Sequence, residues 1–500
     1  MGGENRNKIV INLNNNYASI NYSKNYHNET IQGLRKVLSF KDSSSAYRRI
    51  GGRIQFMKDK VKTYKFYSLD TDSKEIIMSY GCIDVLRNSK EFKDDFDDKF
   101  EIQNECESLK DLIPKNFSIE KVKNIFKDYG KPLRETQITF FKKIIEDDYY
   151  NFMVKAPTGA GKTILFLALA KLLNVPTLFV NFSQTICKKN YEVAKSLGFE
   201  DTGFYTGSKK SEDKFFQFCT VGKLNNLPNQ EKYKIMIIDE AHECASDTYQ
   251  KILLKYGNIK HYIGFSATPL KQGNNLQKIK VQSVFGKVME LEDMNTLINK
   301  KVLVKPKFYI FENNDKEVRD NFYKEGNPND IHNLQSIGYL HNKSRNETAI
   351  KIIRKRYDKN GRILVLTKLI EHGNIIHDLL KEEGIPCKFV SGEESLKTRE
   401  EAMDDFIKQG GKEVLILSSI GDVGIDLPNM TDLVLLSGGK AHWLTEQRLG
   451  RSTRSHKGKN HVNVYDFYDL NHKILENWSN ERIKVYKKIK DAEVKIVRGN

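Results

Sequence analysis

The chain has 500 residues, of which 29% are charged and 39% hydrophobic, and its formal net charge is +17. That length suffices for about three domains, and no apolar run reaches the roughly 18 residues that a membrane helix requires. The N-terminus lacks the apolar core of a signal peptide, and the six cysteines form no CxxC pair, which argues against a zinc site or a disulfide framework. We therefore expect a cytoplasmic protein in a reducing compartment.

The positive charge is concentrated at the front of the chain. Residues 1–65 contain 13 basic and 4 acidic side chains, whereas residues 66–115 contain 7 basic and 13 acidic ones. An excess of positive charge predicts a polyanionic partner, of which nucleic acid is the commonest. An AT-rich codon bias is the alternative source of the bulk charge, but a uniform bias would not place the excess at one end.

The first hundred residues have the pattern of a small β-rich unit. Short β-prone runs predict three strands, over residues 53–57, 61–69 and 75–80. Strand alternation places Lys58, Lys60 and Lys62 on one side, beside aromatic residues, and such a face suits a phosphate backbone. A solvated strand face explains the same pattern equally well. The acidic stretch that follows, residues 91–98, is predicted to be a solvated helix and linker.

After about residue 115, short aliphatic runs alternate with helical patterns in two sets of four. The runs cover residues 151–155, 177–181, 235–239 and 262–266, and then 362–367, 413–418, 432–436 and 462–465. Strand–helix alternation implies parallel sheets, so we predict an α/β protein with two tandem parallel-sheet domains behind a small β-rich (α+β) N-terminal domain. The polar interval at about 300–345 is predicted to be a linker with a surface excursion. The expected domains are residues 1–115, 116–300 and 301–470, followed by a basic, lysine-rich helix over 471–500.

A phosphate-binding loop follows the first strand of the first set. Glycines let the backbone N–H groups of such a loop close around phosphates, and the helix that follows adds the positive end of its dipole. Lys162 is expected to reach the β- and γ-phosphates, and the Thr163 hydroxyl is expected to ligate Mg²⁺. The predicted loop residues are Pro157, Thr158, Gly159, Ala160, Gly161, Lys162 and Thr163. ATP and Mg²⁺ are thus the expected cofactors.

The third strand of that set ends in two carboxylates. This is the Walker B arrangement, in which Asp239 holds Mg²⁺ and Glu240 orients and deprotonates the attacking water. An acidic N-cap after a core strand is the alternative for this pair taken alone. In combination with the phosphate loop, the Asp239–Glu240 pair predicts an ATPase.

Together these motifs resemble those of the superfamily 2 helicases and translocases, whose two motor domains are RecA-like. Asp239-Glu240-Ala241-His242 matches motif II, and Ser266-Ala267-Thr268-Pro269 matches motif III, which couples hydrolysis to nucleic-acid binding. Residues 446–454 match motif VI, although Thr453 replaces its usual second glycine. The resemblance implies that Arg451 and Arg454 reach the γ-phosphate bound to the first domain, as arginine fingers that make domain closure a condition of hydrolysis. It also assigns catalysis to Gln447 and coupling to His242, Ser266 and Thr268.

Weaker matches extend the resemblance over about residues 130–470. Arg134 and Gln137 lie in an LRxxQ element that resembles the adenine-reading element of the superfamily. Residues 418–426 fit motif V, where Gly424 is expected to approach the nucleotide and Asp426 to couple it to DNA. A tight strand-to-helix turn is the alternative for that segment. The expected nucleic-acid contacts in the motor are Thr220, Thr367 and Ser419.

The finer resemblance is to phage UvsW-type, XPB-like and RecG-like DNA helicases of recombination and repair. It rests on residues 292–306 and 342–346, on the motif IV region, and on Gly51-Gly52-Arg53-Ile54-Gln55-Phe56, which is similar to a duplex-binding hairpin. It implies an ATP-dependent helicase or translocase that remodels forked and four-way DNA in a bacterial or phage-infected cell, with a monomer favoured. The alternatives are a restriction-type translocase or other nucleic-acid-stimulated ATPase without strand separation, and an RNA helicase.

Overall fold

The computed structural model describes most of the chain. The described residues are 8–22, 28–42, 47–50, 53–56, 61–207, 211–253, 258–270, 275–324, 330–408, 410–418, 427–439, 449–450, 452–454, 456 and 458–498. Across these ranges, no helix combines the length and the apolarity needed to cross a membrane. The chain divides into two compact units: residues 1–156 with 161–291, and residues 292–500 with 157–160.

The front of the first unit is a five-stranded sheet. Its strand order is β7-β8-β2-β1-β9, in which β1 pairs antiparallel to β2 and parallel to β9. Two further antiparallel pairs, β3–β6 and β4–β5, lie outside this sheet. The strands are β1 (Ile9–Leu13), β2 (Tyr17–Asn21), β3 (Ser39–Asp42), β4 (Tyr47–Ile50), β5 (Arg53–Phe56), β6 (Lys62–Lys65), β7 (Tyr67–Asp70), β8 (Glu75–Ser79) and β9 (Phe100–Asn104). The helices are α1 (Asn28–Val37), α2 (Cys82–Arg87) and α3 (Phe96–Lys99).

Two sequence predictions for this front part need correction, and two strands were missed. The strand expected over 61–69 is two strands, β6 and β7, which break at Phe66 and join different ladders. The central strands β1 and β2 were not predicted, although Ile9, Ile11 and Leu13 alternate inward in β1. The acidic stretch 91–98 is not a solvated helix, because only its end is helical and its aromatic residues Phe92 and Phe96 are 1% and 3% exposed.

The rest of the first unit is a seven-stranded parallel sheet of order β12-β13-β11-β14-β15-β10-β16. The four predicted strands are present as β10, β11, β14 and β15, and their residues are buried almost throughout because helices cover both faces of such a sheet. The strands are β10 (Phe152–Lys155), β11 (Thr177–Asn181), β12 (Thr202–Tyr205), β13 (Phe216–Thr220), β14 (Ile235–Asp239), β15 (His261–Ser266) and β16 (Lys287–Glu290). The helices are α4 (Ile119–Lys123), α5 (Glu135–Glu146), α6 (Lys162–Leu173), α7 (Gln184–Ser196), α8 (Asp247–Leu253) and α9 (Asn275–Phe285).

The second unit contains another seven-stranded parallel sheet, of order β19-β20-β18-β21-β22-β17-β23. The strands are β17 (Lys305–Asn313), β18 (Arg362–Thr367), β19 (Lys388–Val390), β20 (Glu413–Ser418), β21 (Asp432–Leu435), β22 (His461–Asp469) and β23 (Glu493–Val497). The helices are α10 (Met294–Asn299), α11 (Lys316–Lys324), α12 (Ile331–Gln335), α13 (Lys343–Tyr357), α14 (Ile370–Glu382), α15 (Leu396–Lys408) and α16 (Lys473–Lys487). The α/β class with two RecA-like parallel-sheet domains behind a small sheet domain is confirmed.

Two predictions for the second unit were wrong. The interval 300–345 contains β17, an interior strand between β22 and β23, where buried Phe308 and Ile310 alternate with less buried residues. The segment 471–500 is not one basic helix, because α16 ends at Lys487 and β23 then pairs with β17. In both places alternation over a few residues was masked by the surrounding lysines and acidic residues.

Candidate nucleotide and nucleic-acid sites

The phosphate-binding loop has the backbone that its glycines predicted. Gly159 and Gly161 have φ of 90° and 82°, in the left-handed region that favours glycine. Gly161 is the N-cap of α6, so Lys162 and Thr163 are the first residues of a helix whose N–H groups point back along the loop. Helix termini of this kind bind phosphate groups.

The charged centre of the first unit is a cluster of buried side chains. Lys162 Nζ lies 3.4 Å from Glu240 Oε1, and the two side chains are only 11% and 19% exposed. Asp239, at the end of β14, is also buried. Burial raises the pKa of the Asp239 carboxyl, and the Lys162 ammonium acts in the opposite direction. Lysine and both Walker B carboxylates are therefore held in one low-dielectric site.

Asn190 on α7 was not identified from the sequence. Its side-chain oxygen accepts a hydrogen bond from Thr163 Oγ1 at 3.1 Å, and its amide nitrogen donates to Asp239 Oδ2 at 3.1 Å. Thr163 and Asp239 are the two residues predicted to hold Mg²⁺, and a hydroxyl and a carboxylate are oxygen donors of the type that Mg²⁺ takes. The residues present therefore fit the metal, and Asn190 holds both of them.

Motifs II and III are joined by a hydrogen bond. Glu240 has a left-handed φ of 53°, and the short 3₁₀ turn that it caps carries His242. The His242 Nδ1 atom lies 2.8 Å from Ser266 Oγ, which also accepts a hydrogen bond from the Thr268 N–H at 3.1 Å. His242 Nδ1 is 3.5 Å from Glu240 Oε2 as well. The three predicted coupling residues thus lie together beside the predicted general base.

Gln137 has its side-chain amide turned toward the protein. Its oxygen accepts from the Arg134 backbone N–H at 3.0 Å, and its nitrogen donates to the Gly161 carbonyl at 3.1 Å. A Cβ at Gly161 would lie 2.6 Å from that nitrogen and would displace the Gln137 amide, and the positive φ of Gly161 also disfavours a side chain there. Gln137 therefore ties the start of α5 to the phosphate loop, and its adenine contact stays a prediction.

Thr220 and Thr367 both occupy the last position of a parallel strand, β13 in the first unit and β18 in the second. The carboxyl ends of the strands are where ligands bind to open α/β sheets. Both threonines are buried, and Thr367 Oγ1 donates to the Leu369 carbonyl at 3.3 Å. Their nucleic-acid contacts stay predictions.

The motif VI residues described in the second unit form a tight turn. Thr453, in place of the expected glycine, is fully buried, and its hydroxyl donates to the Leu449 carbonyl at 3.0 Å. Its carbonyl accepts from the Val304 N–H at 2.6 Å, and Arg454 forms a β-bridge with Leu303.

Of the predicted DNA-binding lysines at the front of the chain, Lys62 is an exposed residue of β6. Seven of the predicted positions lie outside the described residues: Lys58, Lys60, Ser419, Gly424, Asp426, Gln447 and Arg451.

Comparison with known families agrees with this architecture. Residues 130–271 match the family described as type III restriction enzyme, res subunit, and residues 344–456 match the helicase conserved C-terminal domain. These two regions contain the phosphate loop, motifs II and III, and motif VI. One match therefore falls in each of the two parallel-sheet domains.

Curated relatives are helicases by name. The chain is 25% identical over 370 residues to putative helicase 22 of the Sulfolobus islandicus filamentous virus, covering 67% of this chain and 64% of the relative. It is 24% identical over 377 residues to the ATP-dependent DNA helicase uvsW of Enterobacteria phage T4, covering 69% and 72%. It is 24% identical over 335 residues to the putative DNA 3'-5' helicase Rad25 of Haloarcula marismortui, covering 64% and 50%. The chain thus spans between half and three quarters of the length of these relatives.

Solved structures support the fold. Mss116p bound to ssRNA and AMP-PNP aligns with a TM-score of 0.53 at 16% identity, over 79% of this chain and 80% of that chain. The type ISP restriction-modification enzyme LlaBIII bound to DNA aligns with a TM-score of 0.51 at 13% identity, over 78% and 32%. At such identities the likeness concerns the fold alone. The two matched families and the relatives that are named helicases confirm the resemblance of the chain to the superfamily 2 helicases.

Proposed function

We propose that the chain is an ATP-dependent DNA helicase or translocase that remodels branched DNA, such as forks and four-way junctions. The observation that carries the ATPase part is the buried cluster of Lys162, Glu240 and Asp239, with Asn190 holding both predicted metal ligands. That cluster has the charge clamp, the base and the metal ligands that phosphoryl transfer requires.

In this mechanism Lys162 exchanges its partner when nucleotide binds. Its ammonium leaves Glu240 for the phosphate oxygens, and the Glu240 carboxylate then becomes available to orient water and accept its proton. Thr163 and Asp239 would hold Mg²⁺, which supplies positive charge to the phosphate oxygens. His242 bonds Ser266 of motif III and lies close to Glu240, so it links the predicted general base to motif III. Arg451 and Arg454 would complete the charge on the transferring phosphoryl group.

The front sheet supports a nucleic-acid role because basic and aromatic residues line an adjacent cavity. The cavity has a volume of about 1150 Å³ and lies within the first unit, between strands β6–β8 and helices α8 and α9. Lys62 and Lys65 line it from β6, Lys251 lines it from α8, and Tyr17, which also lines it, is 46% exposed. Lysines that bind phosphates beside aromatic rings that stack on bases are typical of nucleic-acid grooves.

A contact between β6 and helices of the motor lines this cavity. Tyr64 Oη lies 3.4 Å from Asp247 Oδ2, and the Lys280 ammonium lies over the Tyr64 ring at 4.4 Å while it pairs with Asp247. We call Tyr64, Asp247 and Lys280 the clasp. DNA bound by Lys62 would therefore be held next to helices of the first motor domain, as a duplex arm must be while the motor pulls.

The test compares nucleic acids on the full-length chain. ATPase stimulation and strand displacement are measured with single-stranded DNA, duplex, forks, four-way junctions and RNA, and we expect forks and junctions to be processed in an ATP-dependent manner. Charge reversal of Lys58, Lys60 and Lys62 should lower junction affinity and its salt dependence, by about one counterion for each phosphate that the lysines no longer bind. Charge reversal of Lys90 and Lys93, exposed lysines of the front part that do not line the cavity, is the matched control.

Two outcomes separate the alternatives. ATP-driven movement on duplex without strand displacement would favour a translocase, the class suggested by the match to the restriction-enzyme res family. Stimulation by RNA above that by every DNA would contradict the DNA assignment. Junction processing that is unchanged by reversal of the three front lysines would remove the front sheet from the mechanism.

A further inference from the structure

Lys459 follows motif VI and has no role in any of the motifs. Its side chain is partly buried, and among the described residues its ammonium donates to two main-chain carbonyls, Ser452 at 2.7 Å and Pro428 at 3.1 Å. Pro428 closely follows the motif V segment, and Ser452 lies two residues before Arg454. One side chain therefore bonds the backbones of two motifs.

The Ser452 carbonyl needs such a donor because it lies at the end of a helical turn. The Thr453 N–H donates to the Leu449 carbonyl at 3.0 Å, as in an α-helix, and the Ser452 hydroxyl bonds the same carbonyl at 2.8 Å. The last carbonyls of a helical turn lack partners within the turn, and a lysine side chain can satisfy them. Lys459 at Ser452 and the Val304 N–H at Thr453 supply these bonds.

Placing an ammonium there is costly. Burial lowers the pKa of Lys459 to about 8, whereas an exposed lysine keeps its charge at far higher pH. The two bonded groups are carbonyl dipoles rather than a carboxylate, so they offset only part of the lost hydration. A hydrogen-bonding lysine in such a place is expected where the position of the backbone matters.

From this geometry we propose that Lys459 is a positioning residue that fixes the backbone of motif VI relative to the end of motif V and thereby sets where Arg454 reaches. The inference rests on the proposed ATPase function. Lys459 does not touch nucleotide in this role; it acts through Arg454. Its loss should consequently reduce turnover in the closed state and leave nucleotide binding to the first domain almost unchanged.

The experiment is a set of variants in the full-length chain, assayed for DNA-stimulated ATPase. Lys459→Met retains the apolar stem and removes the donors, so we expect kcat to fall about tenfold while KM for ATP changes less than twofold. Lys459→Arg retains a donor and charge and should recover at least half of the activity. Lys388→Met, which removes a lysine bonded to Asp405 at 2.7 Å in the same unit, is the control and should leave kcat unchanged.

A double variant separates positioning from stability. In an Arg454→Ala background, Lys459→Met should cause no further loss of kcat, because the group that it positions is gone. Additive losses, an unchanged kcat in Lys459→Met, or a lower melting temperature with normal kcat would each overturn the inference. If Lys459→Met does not fold, Lys459→Gln is assayed by the same criteria. A wild-type chain without DNA-stimulated ATPase would instead overturn the proposed function itself.

Discussion

The two units hold their candidate site residues in different ways. In the first unit the predicted metal ligands and coupling residues are held by other side chains, as Asn190 holds Thr163 and Asp239, and His242 bonds Ser266. In the second unit buried or partly buried cations hold main-chain carbonyls, as Lys459 does.

Two further cations of the second unit follow this rule. Arg482 donates to the Gly439 carbonyl at 2.9 Å, and Arg345 donates to the Leu436 carbonyl at 3.1 Å. Both arginines are at most 2% exposed, and their charges are balanced by buried aspartates, Asp466 for Arg482 and Asp469 for Arg345. The segment 436–439 that they hold leads directly toward motif VI.

The difference between the units follows from the length of the side chains that are predicted to act on the nucleotide. Asp239, Glu240 and Thr163 have short side chains at the ends of a strand and the start of a helix, so their backbone is already rigid and only their rotamers need fixing. An arginine has a long side chain, and its reach depends first on where its backbone lies. Variants that disturb the side-chain bonds of the first unit and variants that disturb motif VI of the second unit should therefore differ in their effects on turnover, ATP binding and Mg²⁺ dependence.

The largest effect is expected at the charge clamp of the first unit. Lys162→Ala should abolish ATP hydrolysis, because the ammonium that holds the phosphates is lost. Glu240→Gln should reduce turnover by about 10²–10⁴-fold while ATP binding stays near normal, since only the base is removed. Nucleotide binding by fluorescence titration and turnover by phosphate release measure the two quantities. Wild-type turnover in Glu240→Gln would refute the assignment of the base.

The arginines of the second unit should affect turnover more than binding. Arg451→Ala and Arg454→Ala should each lower DNA-stimulated kcat by about 10³-fold, the lower end of the range for arginine fingers, with little change in ATP affinity. Steady-state kinetics with saturating DNA give both parameters. An equal loss of affinity and turnover would indicate a ground-state contact and would remove the contrast between the units.

Removal of Asn190 should change the metal requirement. Asn190→Ala leaves Thr163 and Asp239 without their common partner, so the Mg²⁺ concentration for half-maximal ATPase should rise by about 10–100-fold, as for other residues that orient metal ligands. Asn124→Ala, on an exposed amide that bonds Glu120, is the control. An unchanged Mg²⁺ dependence in Asn190→Ala would contradict its role.

The smallest effect is expected at Thr453. Thr453→Gly restores the residue usual in motif VI and removes one hydroxyl bond to Leu449, so the free energy of unfolding should fall by about 1 kcal/mol. The turnover number should change less than threefold, because the Lys459 and Val304 bonds to the backbone remain. Denaturant titration and ATPase assays measure these. A tenfold loss of turnover would mean that the Thr453 side chain itself positions Arg454.

Sequence patterns predicted the elements with uniform burial and missed those with mixed composition. Strands β11, β14 and β18 were found because a strand covered on both faces is a continuous apolar run. Strands β1 and β17 were missed because their apolar runs, Ile9–Ile11 and Phe308–Phe311, are short and are flanked by polar or charged residues.

The same limit applies to the sites. The motifs predicted roles for Lys162, Asp239 and Glu240, since phosphate chemistry requires those residue types at fixed places along the chain. Asn190 is a single amide on an amphipathic helix, and Lys459 is one of 82 basic residues, so neither differs in pattern from a surface residue. Their roles depend on neighbours that are distant in sequence, which only the folded chain brings to them.

The clasp gives the first unit a mechanical property. It fastens Tyr64 of β6 to α8, and α8 begins at Asp247, one residue after the 3₁₀ turn that carries His242. A DNA arm held on the front sheet under tension would therefore pull on a helix that is joined to the hydrolytic loop by a single residue, Ser246. With DNA held as proposed, the clasp would connect force on the DNA to the predicted hydrolytic site through a short segment of the chain.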